Sequence, residues 1–410
     1  MTKITALTTA TALHGQSPRP RCSAWVDEFR NKVALFAFRI GSSYTEPACG
    51  VREMYRGMQA VDILEASSPL FVRMVHKIFY LFALIVCGVF ATFLSLPAAA
   101  LRYLGTKIQT HPYVYQKGNG EVKQLPQDRS FTLFSWNVCC IGGGYEMTDG
   151  GVHHWHKRVD GIMKKISEQN ADVNCLYETF DFAAATSIAA RLKKLGYAHC
   201  YYNIGAHAIG VSSGILVASK YEIKNLDFFV FPKAMLVGRT KVAEKGIVSF
   251  DLMSQGERFA RIHATHLQHS EQPQFATTEE EEARRVQMQS MVQRAQALSG
   301  RCAQVFTGDF NCGRQEFESS PLRQHFEEGE VVGPDLTWGG DQWCVNLLNR
   351  QCLFPPNKKV SGPMKLDYSG ILPGSARSIR TTVVSVGFDA AQYRAEALSD
   401  HSGLLSRIMV

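Results

Sequence analysis

The sequence predicts an α/β chain, an α+β sandwich of two packed, mostly antiparallel β-sheets flanked by helices, with a helical, membrane-associated N-terminal region ahead of it. Three observations carry this. From Phe131 onward, short β-rich runs alternate with amphipathic helical runs. Polar residues able to do chemistry recur where the apolar runs end. Ahead of them, Ile78–Leu101 (IFYLFALIVCGVFATFLSLPAAAL) is apolar without a charge.

The elements follow in order. Phe131–Val138 (FTLFSWNV) reads as a strand. Over His156–Gln169, Val159, Ile162, Met163 and Ile166 share one helical face. Ala171–Tyr177 is strand-like, and Ala183–Leu195 is a helix that stops at Gly196. Strands are expected at Gly214–Ser219, Gly246–Leu252 and Phe259–Leu267. A long helix over Glu279–Leu298 carries early glutamates, which suit a helix N-terminus. Val305–Phe310, Tyr368–Ile371, Thr381–Val386 and Ser402–Ile408 complete the strands.

Composition narrows the classes. Hydrophobic residues at 45% and charged residues at 20% suit a filled core rather than a disordered chain. A net charge of +7 over 410 residues is compatible with an anionic surface. It is not the dense basic stripe of a nucleic-acid binder, so no nucleic-acid partner is expected. The 11 cysteines include no CxxC pair, so neither a disulfide framework nor a zinc site is indicated. They read as reduced, half-buried residues, and the domain as working in a reducing, cytosolic-type compartment. Met1–Pro20 lacks the apolar stretch of a cleavable signal.

Roughly 20 apolar residues cross a bilayer as a helix, so Ile78–Leu101 predicts membrane association. Pro97 is expected to kink this helix or mark its exit. Arg73, His76 and Lys77 precede the run, and Arg102 and Lys107 follow it. With both flanks basic, the charge bias chooses no orientation, and spanning and re-entrant topologies stay open. Such flanks suit anionic phospholipids, at on the order of 1 kcal/mol per basic residue. Upstream, Val33–Ile40 is too short to span. Asp27–Phe38 and Arg52–Glu65 read as amphipathic helices, a collar on the membrane helix or on the following domain.

The polar residues at run ends form a chemical set. Asn137 closes the first strand, Glu178 the next (NCLYET), His266 closes THLQ, and Asp309 and Asn311 close TGDFN. Asp367 lies in KLDY, and Asp400 and His401 lie in SDHS. Singly, each has an ordinary alternative: Asn137 or Asp309 as a turn cap, His266 as a core histidine, Asp400 as a loop cap. Together, hard oxygen ligands without cysteine or paired histidine suit Mg²⁺, with Mn²⁺ also acceptable. Two histidines suit proton transfer and charge stabilisation. Metal-assisted phosphodiester hydrolysis needs that inventory.

These motifs, in this order from about Phe131 to Val410, resemble the endonuclease/exonuclease/phosphatase superfamily, with its deoxyribonuclease-like fold. Further stretches are similar to membrane-anchored neutral sphingomyelinases: SSGILVASKYEI (Ser212–Ile223), EKGIV (Glu244–Val248), THLQ followed by ARRVQMQ (Ala283–Gln289), and an apolar segment ending Leu96–Pro97 before PYVY (Pro112–Tyr115). Tyr177 and Lys365 depart from the pattern, which usually has Gln and Arg there, and the Gly142–His156 loop has no recognised counterpart.

The resemblance implies a chain of four parts: residues 1–69, partly helical; 70–107, a hydrophobic membrane segment; 108–130, a juxtamembrane linker; and 131–410, the catalytic domain. It implies an Mg²⁺-dependent phosphodiesterase that cleaves bilayer sphingomyelin to ceramide and phosphocholine, with anionic phospholipids as activators. By the same resemblance, Glu178, Asn137 and Asp400 hold the metal. His401, oriented by Asp367, is the base; Asp309 and Asn311 position water and phosphate; His266 stabilises charge. Trp155, Tyr201, Tyr202 and Trp343 are candidate choline contacts, since quaternary ammonium binds aromatic faces. The alternatives are a phosphodiesterase of another phospholipid, a membrane-bound nuclease of the same superfamily, and an inactive membrane-tethered scaffold.

Overall fold

The computed structural model describes residues 24–43, 70–141, 154–206, 211–270, 272–298, 302–339, 362–386 and 397–410, with residues 152 and 300 and parts of 50–69. Two helices come first, α1 (Ala24–Ser43) and α2 (Leu70–Ile108). Among the described residues α2 is the one helix long and apolar enough to cross a membrane, and none of its most apolar stretch is buried. Pro97 lies inside α2 and the helix runs on to Ile108, so the proline does not mark its end. α1 is clasped to the far end of α2: Arg30 Nε donates to Ile108 O at 3.1 Å and Thr110 N donates to Asn31 Oδ1 at 3.0 Å. Its Phe38 ring also meets Phe182 of the following domain, with centroids 6.0 Å apart. The second helix expected upstream, Arg52–Glu65, lies in part outside the described residues.

Among the described residues, thirteen strands then build two sheets. The chain passes through β1 (Val114–Lys117), β2 (Ser130–Cys140), α3 (Trp155–Gln169), β3 (Val173–Thr179), α4 (Phe182–Lys194), β4 (His199–Tyr202), β5 (Leu216–Ser219) and β6 (Glu222–Val230). It continues through β7 (Gly246–Ser254), β8 (Glu257–His266), α5 (Thr278–Ala297), β9 (Ala303–Asp309), α6 (Arg314–Glu318), β10 (Glu330–Val332), β11 (Asp367–Ile371), β12 (Ser378–Val384) and β13 (Gly403–Met409). One sheet has the order β1-β4-β5-β3-β2-β13-β12-β10, the other β11-β9-β8-β7-β6. Among these strands, β2–β3, β8–β9 and β10–β12 pair in parallel and the rest antiparallel. The sandwich of mostly antiparallel sheets flanked by helices is therefore the architecture. β1 lies within the stretch expected to be a linker and pairs with β4 along the sheet edge.

Strand alternation sorts β2 between two cores. Phe131 and Leu133 face the space between the sheets, with Val173, Cys175, Val248, Ile262 and Val305. Phe134, Trp136 and Val138 face outward against Ile162 and Ile166 of α3 and Ile188 and Leu192 of α4. On the other outer face, α5 covers Phe306 and Tyr368 with Met288 and Met291. The helices have clear start signals. Asp181 accepts from Ala184 N at 2.8 Å to cap α4. Thr277 and Glu280 form a reciprocal capping box on α5.

Candidate active site

Strand register assembles the site from two rows. In the five-stranded sheet, β8 and β9 place His266 beside Asp309, and β9 and β11 place Asp309 beside Asp367. All three sit at one end of adjacent strands. TGDFN needs its glycine: a Cβ on Gly308 would lie 2.0 Å from the Thr265 carbonyl oxygen of β8. Asn311 turns the chain away with φ 53°, a left-handed conformation that asparagine tolerates well, and its N–H donates to Asp309 Oδ1 at 2.9 Å.

The second row comes from the facing sheet. Asn137 ends the inward-facing positions of β2. On β3, Val173, Cys175 and Tyr177 face inward, so simple alternation would turn Glu178 outward. Its backbone instead has φ 59°, and its carboxylate lies with His266 and Asp309. A non-glycine residue held there costs on the order of 1–3 kcal/mol, which the surrounding structure must offset. His401 enters from the segment ahead of β13.

The rows meet across the sandwich. Asn137 Nδ2 donates to Asp309 Oδ2 at 2.9 Å, and His401 Nδ1 donates to Asp367 Oδ2 at 2.8 Å. His401 Nε2 then lies 3.8 Å from Asp309 Oδ2. His266 Nε2 lies 3.5 Å from Asp309 Oδ2 and 3.7 Å from Glu178 Oε1. Glu178, His266 and Asp309 each present a ligand atom within 4.8 Å of the others, as do Asp309, Asp367 and His401. Asp400 stands beside these groups, accepting from Trp338 Nε1 at 3.3 Å. Asn311 Nδ2 is turned to Leu267 O at 3.4 Å. The candidate metal and catalytic residues thus lie at one end of the sandwich.

Burial sets the electrostatics. Desolvation, then the nearby Asp400, pushes Glu178 up to about 7. Desolvation also lifts Asp367 to about 6, against the pull of His401. Burial opposes charge on His401, but Asp367, Asp309 and Asp400 together hold it well above the usual imidazole range. His266 is held well below that range by burial and by the charges of Lys245, His269 and His401. Both its ring nitrogens are buried without a hydrogen-bond partner. Leaving such groups unmet costs about 1–3 kcal/mol each, so they await a polar ligand. These orphaned atoms, with oxygens of Glu178, Asp309 and Asp400 close by, fit a hard divalent cation and an anionic substrate.

Lys245 was not among the expected residues. It is buried, and desolvation pushes it down to about 7 despite the opposing charges of Glu178 and Asp309. The signal was present in EKGIV: Lys245 opens an apolar strand, the same edge position that selected the others. The choline candidates fare differently. Tyr201 and Tyr202 are packed into the two cores, and Trp155 is buried under α3's sheet-facing side. Trp343 and most of Gly142–His156 lie outside the described residues. The aromatic rings beside the site are Phe180, 6.0 Å from the His266 ring and 5.8 Å from Lys245 Nζ, and Trp338. Tyr177, a departure from the family pattern, packs into the inter-sheet core, where its hydroxyl accepts from Ser135 Oγ at 3.4 Å and feels the charge of Asp367. Lys365, the other departure, pairs with Glu328 and Asp335.

Known structures are similar to this one. Beta toxin from Staphylococcus aureus matches with a TM-score of 0.53 and 20% identity, over 67% of this chain and 99% of that one. SmcL matches with a TM-score of 0.53 and 20% identity, over 68% and 99%. Sphingomyelinase C from Streptomyces griseocarneus gives 0.52 and 20%, over 68% and 99%. At that identity the likeness establishes the fold. No curated protein matches the chain by sequence. The Endonuclease/Exonuclease/phosphatase family matches residues 134–401, a stretch that runs from within β2 to His401. By that match the chain belongs to the endonuclease/exonuclease/phosphatase family.

Proposed function

We propose that this protein is a membrane-anchored, Mg²⁺-dependent phosphodiesterase that hydrolyses sphingomyelin to ceramide and phosphocholine. The observation that carries the phosphodiesterase chemistry is the shared placement of Asp309 in both clusters of converging ligand atoms. The lipid substrate is supported by the exposed apolar helix α2 and by the likeness to sphingomyelinase C. Magnesium is supported by the oxygen donors and by a variant of the staphylococcal toxin whose structure holds magnesium ions.

In this reading Glu178, Asn137 and Asp400 would hold the metal, which would supply Lewis-acid polarisation of the scissile phosphate. Asn137 also locks Asp309 through its amide nitrogen. Asp309 and Asn311 position water and phosphate. His401 takes the proton of the attacking water, with Asp367 fixing the ring through Nδ1. The carboxylates that keep His401 protonated include two assigned to metal and phosphate binding, so the imidazole becomes a base once their charge is met. His266, neutral and unpartnered, donates to the phosphoryl oxygens or the departing alkoxide. Lys245 adds a positive charge against the phosphoryl group.

The test is His401→Ala, assayed for phosphocholine release from sphingomyelin micelles. General-base catalysis is worth roughly 10²–10⁴-fold, and a loss in that range is expected. Turnover close to that of the parent would discard the assignment.

A further inference from the structure

Beside Glu178 of β3, the larger sheet's other contributions to the site come from opposite ends of the domain. β2 delivers Asn137, and residues 397–402 deliver Asp400 and His401. Ladder pairing between β2 and β13 reaches only Ser135 and Leu404. Beyond it β2 bulges between Asn137 and Cys140, and Cys139 has φ 49°. A bulge disrupts the ladder there and leaves carbonyls in need of donors.

Arg158 of α3 supplies them. It is 4% exposed. Its Nη1 donates to Val138 O at 2.9 Å and its Nη2 to Cys139 O at 2.6 Å. The same Nη1 reaches across to Leu398 O, on the other segment. Ser399 makes a second tie: its hydroxyl donates to Asn137 O at 2.6 Å, and His401 N donates to Ser399 Oγ at 3.2 Å. A fully buried serine and a nearly buried guanidinium therefore join the same two backbone segments.

We infer that Arg158 and Ser399 are positioning residues, a clamp that sets Asn137, and through it Asp309, against Asp400 and His401. The affinity for the divalent cation then depends on two side chains that do not touch it. This rests on the metal site proposed above. Partners that orient metal ligands typically contribute 10–100-fold to affinity. A purely structural role would lower stability and leave the affinity of the folded protein unchanged.

The test is direct binding of Mn²⁺ alone to the full-length protein in detergent, read from the spectrum of free Mn²⁺. Melting without metal checks folding. Arg158→Met and Ser399→Ala are expected to weaken binding by roughly 10–100-fold. Arg158→Lys falls between Arg158→Met and the parent, since an ammonium offers donors without the planar fork. Folded variants that bind Mn²⁺ like the parent overturn the clamp and leave the metal site standing. A parent protein that binds no Mn²⁺ overturns both. If Arg158→Met does not fold, Ser399→Ala decides, because it removes a single hydroxyl.

Discussion

Two buried groups carry the residue-scale predictions. Lys245 sits with Glu178 and Asp309 and titrates near neutrality because burial disfavours its charge. Lys245→Met should lower kcat by roughly 10²–10³-fold, the usual effect of removing one preorganised electrostatic group, with KM moving far less. Steady-state kinetics on sphingomyelin micelles decide it. His263 is the second. Ser249 meets its Nδ1 at 2.9 Å and Gln304 its Nε2 at 3.2 Å, and burial pushes it down from 6.5 to about 4. In the unfolded chain it protonates near 6.5, whereas the folded protein resists until about pH 4. Stability from this group is therefore intact above pH 6.5 and is lost as pH falls toward 4, by on the order of 3 kcal/mol. His263→Gln should flatten denaturant midpoints over that window; an unchanged slope would refute the assignment.

At the scale of elements, the close approach of β8 and β9 is what aligns His266 with Asp309. Gly308→Ala would press a methyl group into the Thr265 carbonyl, 2.0 Å away, and should cost about 1–3 kcal/mol together with most of the activity. Thermal unfolding and turnover measured on the same sample check it. The helices and central strands were legible because each has a strong local period or a cap: Val159, Ile162, Met163 and Ile166 along α3, Thr277 with Glu280 ahead of α5. The edge strands β1, β6 and β10, and β4 next to β1, were not. β1 and β10 are short and half exposed, with no apolar alternation to mark them. β6 carries Lys224, Asn225 and Asp227 in its middle, where a bulge breaks the register. The candidate site residues stand out in the sequence as strand-end polar groups. The left-handed turn at Glu178 and the bulge after Asn137 do not, because neither is marked by a local residue pattern such as glycine.

The whole molecule joins a hydrolytic domain to an apolar helix, with α1 wedged between α2 and α4. The length and charge-free run of Ile78–Leu101 were plain in the sequence; the contact of α1 with both neighbours depends on tertiary packing and could not be read there. If α2 anchors the protein, arginines at its centre should release it. Each costs roughly 2.5–3.5 kcal/mol at a helix centre, so Val86→Arg with Val89→Arg should move the protein from the carbonate-resistant membrane fraction to the supernatant. Retention of the double variant in the pellet would contradict an anchor through this helix.

Catalytic identity is decided most directly by phosphocholine release from sphingomyelin in mixed micelles, with Mg²⁺ and with chelator, beside phosphatidylcholine and plasmid DNA. Release from sphingomyelin alone, abolished by chelator and restored by Mg²⁺, is the predicted result. Hydrolysis of DNA or of another lipid instead would contradict the proposed substrate while leaving the fold and metal site in place, and no turnover of any of the three would contradict the enzyme itself.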